Sequence, residues 1–157
     1  MLKLKAVLID DEKSSLQSLS FEINAYCPDV EVVATFKDPK EGLAHIMTLP
    51  PDILFLDIEM PGMNGFDVLR WIRCQHALDA MSVVMLSSSE ETRDLNEARH
   101  FGAQCYIAKF PNATQLQEIV AEAERLAAAS PDHTFKLPWN LLVASPRGTR
   151  QAAPLPC

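Results

Sequence analysis

The stretch ILFLDIEMPG, residues 53–62, joins a short apolar run to a turn sequence. Its first four residues are large and apolar, which is typical of a strand covered on both faces of a parallel sheet. Asp57 follows this run directly. A charged group at the end of a buried strand costs free energy unless another group or an ion compensates it. The stretch therefore predicts a buried strand that ends in a carboxylate with a specific neighbour.

Four further apolar runs alternate with segments of helical periodicity. The strand-like runs are residues 4–9, 31–36, 83–86 and 105–108. A helix is predicted after each strand; the first has Ser14 or Ser15 as its cap, and its inner face consists of Leu16, Leu19, Ile23 and Tyr26. The second runs from Pro39 to about Met47, and the third begins at Gly65 and has Phe66, Leu69 and Ile72 on its inner face. The fourth spans roughly 91–101 and is ended by Gly102, and the fifth is lined by Leu116, Ile119, Val120, Ala123 and Leu126.

This order predicts an α/β fold in which a (βα) unit is repeated five times. Strict alternation gives right-handed crossovers and a doubly wound parallel sheet with helices on both faces. Five strands favour the flavodoxin-like order 2-1-3-4-5. In such a sheet the functional site lies at the carboxyl ends of the strands, near the switch point between the first and third.

Length and charge narrow the class of protein. The chain has 157 residues, enough for one ordinary domain, and a formal net charge of −7, which argues against a large nucleic-acid footprint. No apolar run approaches the roughly 20 residues of a membrane span, and the N-terminal residues lack the pattern of a secretory signal. We therefore expect a cytoplasmic protein without direct nucleic-acid or membrane binding. The four cysteines show no metal-binding spacing.

Polar residues stand where the predicted strands end. Asp10 and Asp11 follow the first strand, Asp57 the third, Ser87 the fourth and Lys109 the fifth. Taken singly, each has an ordinary structural explanation as a helix cap, a turn residue or a solvated side chain. Together they describe one oxyanion site, because three clustered carboxylates become tolerable around a Mg²⁺ (or Mn²⁺) ion. Such a site can hold a carboxylate nucleophile.

Four segments resemble the receiver domain of two-component response regulators. They are LIDDE (8–12), ILFLDIEMPGMNGFDVLRWIR (53–73), VVMLSSS (83–89) and FGAQCYIAK (101–109), and the likeness runs from Leu4 to about Ala128. The resemblance implies a signalling switch that accepts a phosphoryl group from a histidine kinase or a phosphotransfer protein. The string D-x-x-M-P-G-M-N-G after an apolar strand is its most specific part.

The resemblance also implies a role for each residue of the rim. Asp57 is expected to be the phosphoacceptor, and Ser87 the switch hydroxyl, with Ser88 as the alternative. Lys109 is expected to pair with the phosphate. Tyr106 is expected to act as the switch aromatic, unless it is simply a core residue. The expected metal ligands are Asp10, Asp11, Asp57 and the main-chain carbonyl of Glu59.

Two features depart from the family pattern. The family has Lys-Pro with a cis bond at the end of the fifth strand, whereas this chain has Lys109-Phe110-Pro111. Because a non-proline cis bond costs about 2.5–4 kcal/mol, the 109–110 bond is predicted to be trans. Glu59 and Ser89 occupy positions that in the family tune dephosphorylation, and the sequence leaves the direction of their effect open.

The predicted domain boundaries are 1–129 for the receiver and 130–157 for a proline-rich tail without an output domain. The tail contains Trp139 and is expected to be linker-like, or to dock on the domain or on a partner.

An unknown downstream protein is expected to bind the fourth helix, fifth strand and fifth helix, and whether the protein forms a homodimer is left open. Alternatives are a phosphorelay intermediate or phosphate sink, an aspartate-nucleophile phosphohydrolase, and a constitutive binding module. No enzymatic activity beyond self-phosphorylation and autodephosphorylation is expected.

Overall fold

A computed structural model describes residues 3–88 and 92–128. Its five strands are β1 (Leu4–Ile9), β2 (Val30–Phe36), β3 (Ile53–Asp57), β4 (Ser82–Ser87) and β5 (Cys105–Ala108). Its helices are α1 (Lys13–Tyr26), α2 (Pro39–Thr48), α3 (Gly65–Arg73), α4 (Thr92–His100) and α5 (Ala113–Ala128), with a short 3-10 turn at His76–Leu78. The predicted tail with Trp139, the 129/130 boundary and Ser89 lie outside the described residues.

The strands form one parallel sheet in the order β2-β1-β3-β4-β5. The predicted flavodoxin-like (βα)5 fold and strand order are therefore confirmed. Because β1 and β3 are neighbours while their sequence numbers differ by two, the chain changes direction across the sheet at this pair. The carboxyl ends of β1 and β3 consequently lie side by side at the switch point.

Two apolar layers cover the sheet, one on each face. The first packs α2, α3 and α4 against the sheet through residues such as Ile46, Leu69 and Ala98. The second packs α1 and α5 against the other face through residues such as Ile23 and Leu116. Both faces of β3 are buried, as its continuous apolar run predicts.

The helix termini differ from the prediction in one place. Glu12, not Ser14 or Ser15, is the N-cap residue of α1, and it makes no side-chain capping bond. The Ser15 hydroxyl instead donates to the Glu12 carboxylate over 3.2 Å. Tyr26 was expected on the inner face but is 45% exposed, because α1 ends there and its ring projects beyond the layer that buries Leu16 and Ile23.

The predicted starts and stops of the other helices agree with the structure. Pro39 is at the first turn of α2, whose N-cap Asp38 accepts from the backbone of Lys40. Asn64 and Asp67 form a reciprocal capping box at the start of α3. Gly102 ends α4 with a φ of +86°, a conformation that glycine adopts without steric cost. None of the helices in ranges 3–88 and 92–128 is long and apolar enough to cross a membrane.

Arg73, at the end of α3, ties together the amino-terminal edge of the sheet. Its guanidinium donates to the Gly102 carbonyl over 2.9 Å and to the Met81 carbonyl over 3.1 Å. It also donates to Gln104 Oε1 over 2.6 Å, and the same oxygen accepts from the backbone of Val83. One side chain thus connects α3, the start of β4 and the α4–β5 loop at the edge opposite to the polar rim.

Gly65 lets α3 approach the end of β3. A Cβ at this position would lie 2.4 Å from the Asp57 carbonyl oxygen and 2.8 Å from the Ile58 Cα. The Gly65 N–H donates to the Ile58 carbonyl over 2.9 Å, which fixes the helix start against the turn. The absence of a side chain at 65 is therefore part of how the fold places Asp57.

We predict that Gly65→Ala destabilises the protein by about 1–3 kcal/mol, because the added methyl group meets backbone atoms that cannot move away. Urea unfolding measures this change. Gly42→Ala in α2 is the matched control, since the atoms that its Cβ would meet belong to the side chains of Ile9 and Phe36 and not to the backbone. An equal loss of stability in the two variants would contradict the interpretation.

Candidate functional site

The polar residues predicted at the strand ends lie together at one rim of the sheet. Asp10 directly follows β1, Asp57 is the last residue of β3 and Ser87 the last residue of β4. Lys109 directly follows β5. Asp57 and Ser87 are completely buried, and Asp10 is 4% exposed. The fold therefore brings three charged groups and one hydroxyl, from the ends of four strands, into a site with little access to water.

Three carboxylates converge at this rim. Asp10, Asp11 and Asp57 each offer one oxygen, and these oxygens lie within 4.8 Å of one another. The β1–α1 junction supplies the first two residues and β3 supplies the third. Oxygen ligands in this arrangement are those that hard divalent cations prefer. The residues predicted as side-chain metal ligands thus lie close enough together to share one ion.

Lys109 is the cation of the site. Its ammonium lies 3.2 Å from Asp10 Oδ2 and 3.3 Å from Asp57 Oδ1, and its side chain is 13% exposed. One positive charge thus faces two buried carboxylates and the nearby Asp11. The cluster retains an excess of negative charge, which favours a further cation.

Asp57 is the least satisfied of these groups. Lys109 forms an ion pair with Oδ1, yet neither Asp57 oxygen has a hydrogen-bond partner among residues 3–88 and 92–128. Buried carboxylate oxygens are ordinarily hydrogen-bonded or bound to a metal. The Asp57 oxygens, which lack hydrogen bonds in the described ranges, could therefore take part in binding a divalent cation.

The electrostatics of the site follow from this geometry. Burial, and after it the Asp10 charge, raises the pKa of Asp57 to about 7, although Lys109 opposes the shift. Burial also raises the pKa of Asp10. Two neighbours act in the opposite direction and lower this pKa: the Glu12 N–H, which donates to Asp10 Oδ1 over 2.9 Å, and the Lys109 ammonium. For Lys109, burial acts to lower the pKa, but the two carboxylates outweigh it and raise the pKa.

Ser87 and Tyr106, the residues expected to form the switch, are both buried. Ser87 ends β4 beside the carboxylates, and its carbonyl accepts from the Lys109 N–H over 2.7 Å. Tyr106 belongs to the apolar layer of α2, α3 and α4. Ser88, the alternative switch residue, is exposed and directed to a different partner.

That partner is Glu59, and the contact was not predicted from the sequence. The Ser88 hydroxyl donates to Glu59 Oε2 over 2.9 Å. This hydrogen bond joins the loop after β3 to the loop after β4 next to Asp57. Sequence reasoning singled out Glu59 but paired it with Ser89. The one feature of the sequence that could have indicated this contact is that Ser88 directly follows β4, and β4 is a neighbour of β3.

Residues 109–111, where this chain has Lys-Phe-Pro in place of the family's Lys-Pro, have a defined backbone conformation. The 109–110 bond is trans, as predicted, and the described ranges contain no cis peptide bond. Phe110 has a φ of +63° and is 67% exposed. The left-handed backbone at this position was not foreseen from the sequence.

Comparison with known proteins agrees with this fold and site. The family described as response regulator receiver domain matches residues 6–121. The chain belongs to the response regulator receiver family. The predicted resemblance is thereby confirmed, and with it the assignment to a two-component signalling domain.

The similar proteins include two curated relatives and one solved receiver structure. The chain is 33% identical over 126 residues to protein-glutamate methylesterase/protein-glutamine glutaminase 3 of Geobacter sulfurreducens, covering 80% of this chain and 33% of that protein. It is 35% identical over 122 residues to the corresponding enzyme 1 of Caulobacter vibrioides, covering 78% of this chain and 35% of that protein. The response regulator domain of Thermotoga maritima CheB is 26% identical with a TM-score of 0.66, covering 82% of this chain and 99% of that chain.

The chain spans about a third of the length of these two curated relatives. Both relatives are named as enzymes, so the expectation that this protein is not an enzyme is not confirmed by the comparison.

We predict that the raised pKa of Asp57 makes the metal-free protein less stable as the pH rises. The folded state retains a proton on Asp57 between its ordinary pKa of 3.8 and about 7, whereas the unfolded state releases it. The free energy of unfolding therefore falls through this window by up to about 4 kcal/mol, at 1.36 kcal/mol per pKa unit.

Urea unfolding with a chelator at about pH 4 and about pH 8 measures this fall. Asp57→Asn is the control, because its amide does not titrate, and its stability is expected to fall less over the same range. An identical pH dependence in the two proteins would contradict the shift.

Proposed function

We propose that Asp57 is the phosphoacceptor of a two-component signalling switch. The observation that carries the proposal is the Asp57 carboxylate itself, which is fully buried, has no hydrogen-bond partner in the described ranges and lies 3.3 Å from Lys109. A buried carboxylate without hydrogen bonds, paired only with one ammonium, is poised as a nucleophile for an electrophilic phosphorus.

In the proposed reaction an Asp57 oxygen attacks the phosphorus of the donor. A P–O bond forms, and the bond between phosphorus and the donor breaks with its electron pair on the donor. Lys109 lies where it can neutralise charge on the phosphoryl oxygens. The residues thus contribute position and electrostatic stabilisation, which is what phosphoryl transfer requires of a protein.

The proposed cofactor is Mg²⁺ (or Mn²⁺), held by Asp10, Asp11, Asp57 and the main-chain carbonyl of Glu59. The clustered oxygens of the three aspartates support this assignment. When bound, such an ion neutralises charge on the carboxylates and on the phosphoryl group. Asp10 also binds Lys109, so it orients the ammonium towards Asp57.

The proposed signal starts at Ser87 and Tyr106. A phosphoryl group adds about −1.5 to −2 charges beside the buried Ser87 hydroxyl, which then donates to it. Because the Ser87 carbonyl accepts from Lys109, a shift of β4 is passed directly to β5. Tyr106 on β5 packs in the layer that includes α4, so its rotation changes the α4–β5–α5 surface.

The proposed partners follow from this chemistry. A histidine kinase or a phosphotransfer protein supplies the phosphoryl group, and a downstream protein binds the α4–β5–α5 surface. The proposed location is the cytoplasm. The chemistry of the domain itself is limited in this proposal to gaining and losing the phosphoryl group, while methylesterase and glutaminase activities are those in the names of much longer relatives.

We predict that the protein gains one phosphoryl group when incubated with acetyl phosphate and Mg²⁺, and that Asp57→Asn gains none. Intact-mass spectrometry measures both results. Asp38→Asn is the matched control, because it removes a neighbouring rim carboxylate while leaving a good cap for α2. A sample with chelator in place of Mg²⁺ tests the metal requirement.

Absence of a mass gain in the wild-type protein would overturn the proposed chemistry. An unchanged gain in Asp57→Asn would assign the phosphoacceptor to another residue. A full gain in the presence of chelator would remove the metal from the proposal.

We predict that Glu59→Asn shortens the lifetime of the aspartyl phosphate by roughly threefold or more. The bridge from Ser88 to Glu59 holds a negative carboxylate beside the reacting group, where it restricts the approach of water. Ser88→Ala should shorten the lifetime in the same direction, because it releases Glu59. Loss of the phosphoryl mass with time, after removal of the donor, gives the lifetimes.

Ser18→Ala, on the exposed side of α1, is the control for a lost serine hydroxyl. Equal lifetimes in the wild-type protein and both bridge variants would end this interpretation.

A further inference from the structure

Lys109 is fixed at two points. Its backbone N–H donates to the Ser87 carbonyl over 2.7 Å, so its main chain is held by β4. Its ammonium lies 3.2 Å from Asp10 and 3.3 Å from Asp57, so its side-chain end is held by the carboxylates. Both contacts form together only if the chain leaves residue 109 in a suitable direction.

The chain is fixed again immediately afterwards. Pro111 is buried, and Asn112 and Gln115 cap the start of α5 reciprocally. The Gln115 N–H donates to Asn112 Oδ1 over 2.9 Å, and the Asn112 N–H donates to Gln115 Oε1 over 3.0 Å. Residue 110 is therefore the only connection between the anchored lysine and the anchored helix.

Phe110 makes this connection with its backbone in the left-handed region, at a φ of +63°. It is the only residue other than glycine with a positive φ in ranges 3–88 and 92–128. A side chain disfavours this region, and a bulky one does so strongly. Pro111 disfavours the right-handed helical region for the residue before it, which leaves extended and left-handed conformations. An extended residue 110 would continue the direction of β5 away from α5.

The ring of Phe110 does not explain its conformation. It is 67% exposed, so burial of the ring returns little of the cost of the backbone strain. The structural contribution of residue 110 is therefore the turn that its left-handed backbone makes in the main chain.

We propose that residue 110 is a positioning residue for Lys109. Its left-handed backbone turns the chain into α5 while the ammonium stays on Asp10 and Asp57, and the ease of that conformation sets the rate of phosphoryl acceptance. This inference rests on the proposed function, because it counts Lys109 as the group that faces the phosphoryl oxygens.

A series of substitutions at 110 tests the inference. Phe110→Gly, Phe110→Asn, Phe110→Ala and Phe110→Val all remove the ring, and they differ in how readily the residue adopts the left-handed region. Glycine and asparagine adopt it readily, alanine less so, and β-branched valine least. The measurement is the initial rate of mass gain from acetyl phosphate in the presence of Mg²⁺.

We expect the glycine and asparagine variants to react within about threefold of the wild-type rate. The valine variant should be slower by at least about tenfold, since a misplacement of about 1 Å can cost about 100-fold in rate. The alanine variant should be slower than the glycine and asparagine variants but no slower than the wild-type protein, because a methyl group disfavours the left-handed region no more than the phenylalanine side chain does. It keeps the comparison valid if the valine variant does not fold.

A second series in the Lys109→Met background separates positioning from general stability. If residue 110 acts through Lys109, its substitutions should no longer change the phosphorylation rate once the ammonium is absent. Urea unfolding of the same variants should still rank them by their cost in the left-handed region.

Slow reaction of the glycine and asparagine variants would assign the effect to the ring and overturn the inference. Equal rates across the first series, or rate differences that persist in the Lys109→Met background, would also overturn it. A wild-type protein that takes up no phosphoryl group would overturn the proposed function and this inference together, whereas a phosphorylated wild type with any of the preceding results would overturn the inference alone.

Discussion

The burial of the Asp57 carboxylate against Asp10 is the constraint on which the rest of the site depends. Two carboxylates at the buried ends of neighbouring strands repel each other and raise the free energy of the charged state. Lys109 compensates part of this charge from the neighbouring end of the sheet. The parallel sheet makes this arrangement possible, because it delivers the ends of β1, β3, β4 and β5 to the same rim without any direct connection between them.

The same constraint separates the domain into two regions with different physical requirements. Below the rim, both faces of the sheet are covered by apolar layers, and side chains such as Phe55 and Leu69 are almost fully buried. At the rim, charge is concentrated, the backbone at Gly65 approaches that of Asp57 closely, and Phe110 has a positive φ. The stability of the first region is what allows the second to hold groups in unfavourable surroundings.

The fold could be predicted from sequence because its determinants are local and repeated. Apolar runs such as 53–56 mark the strands, helix-start residues such as Pro39 mark the helices, and strict alternation leaves few topologies. The clustering of Asp10, Asp11, Asp57 and Lys109 also followed, since it depends only on where strands end. The Ser88–Glu59 bond and the Phe110 turn could not be predicted in this way. Both depend on how two loops or two anchored segments meet in space, and neither leaves a periodic signal in the chain.

The hydrogen bonds of Arg73 restrict the movement of the segments that they join. Its guanidinium binds two segments, the start of β4 and the α4–β5 loop, at the edge of the sheet farthest from the carboxylates. Gly102, whose N–H donates to the Arg99 carbonyl at the end of α4, accepts from Arg73 through its own carbonyl, so the end of this helix is tied to α3. Because one side chain makes all of these hydrogen bonds, α3, the start of β4 and the α4–β5 loop are held relative to one another at the edge of the sheet that lies away from the carboxylates.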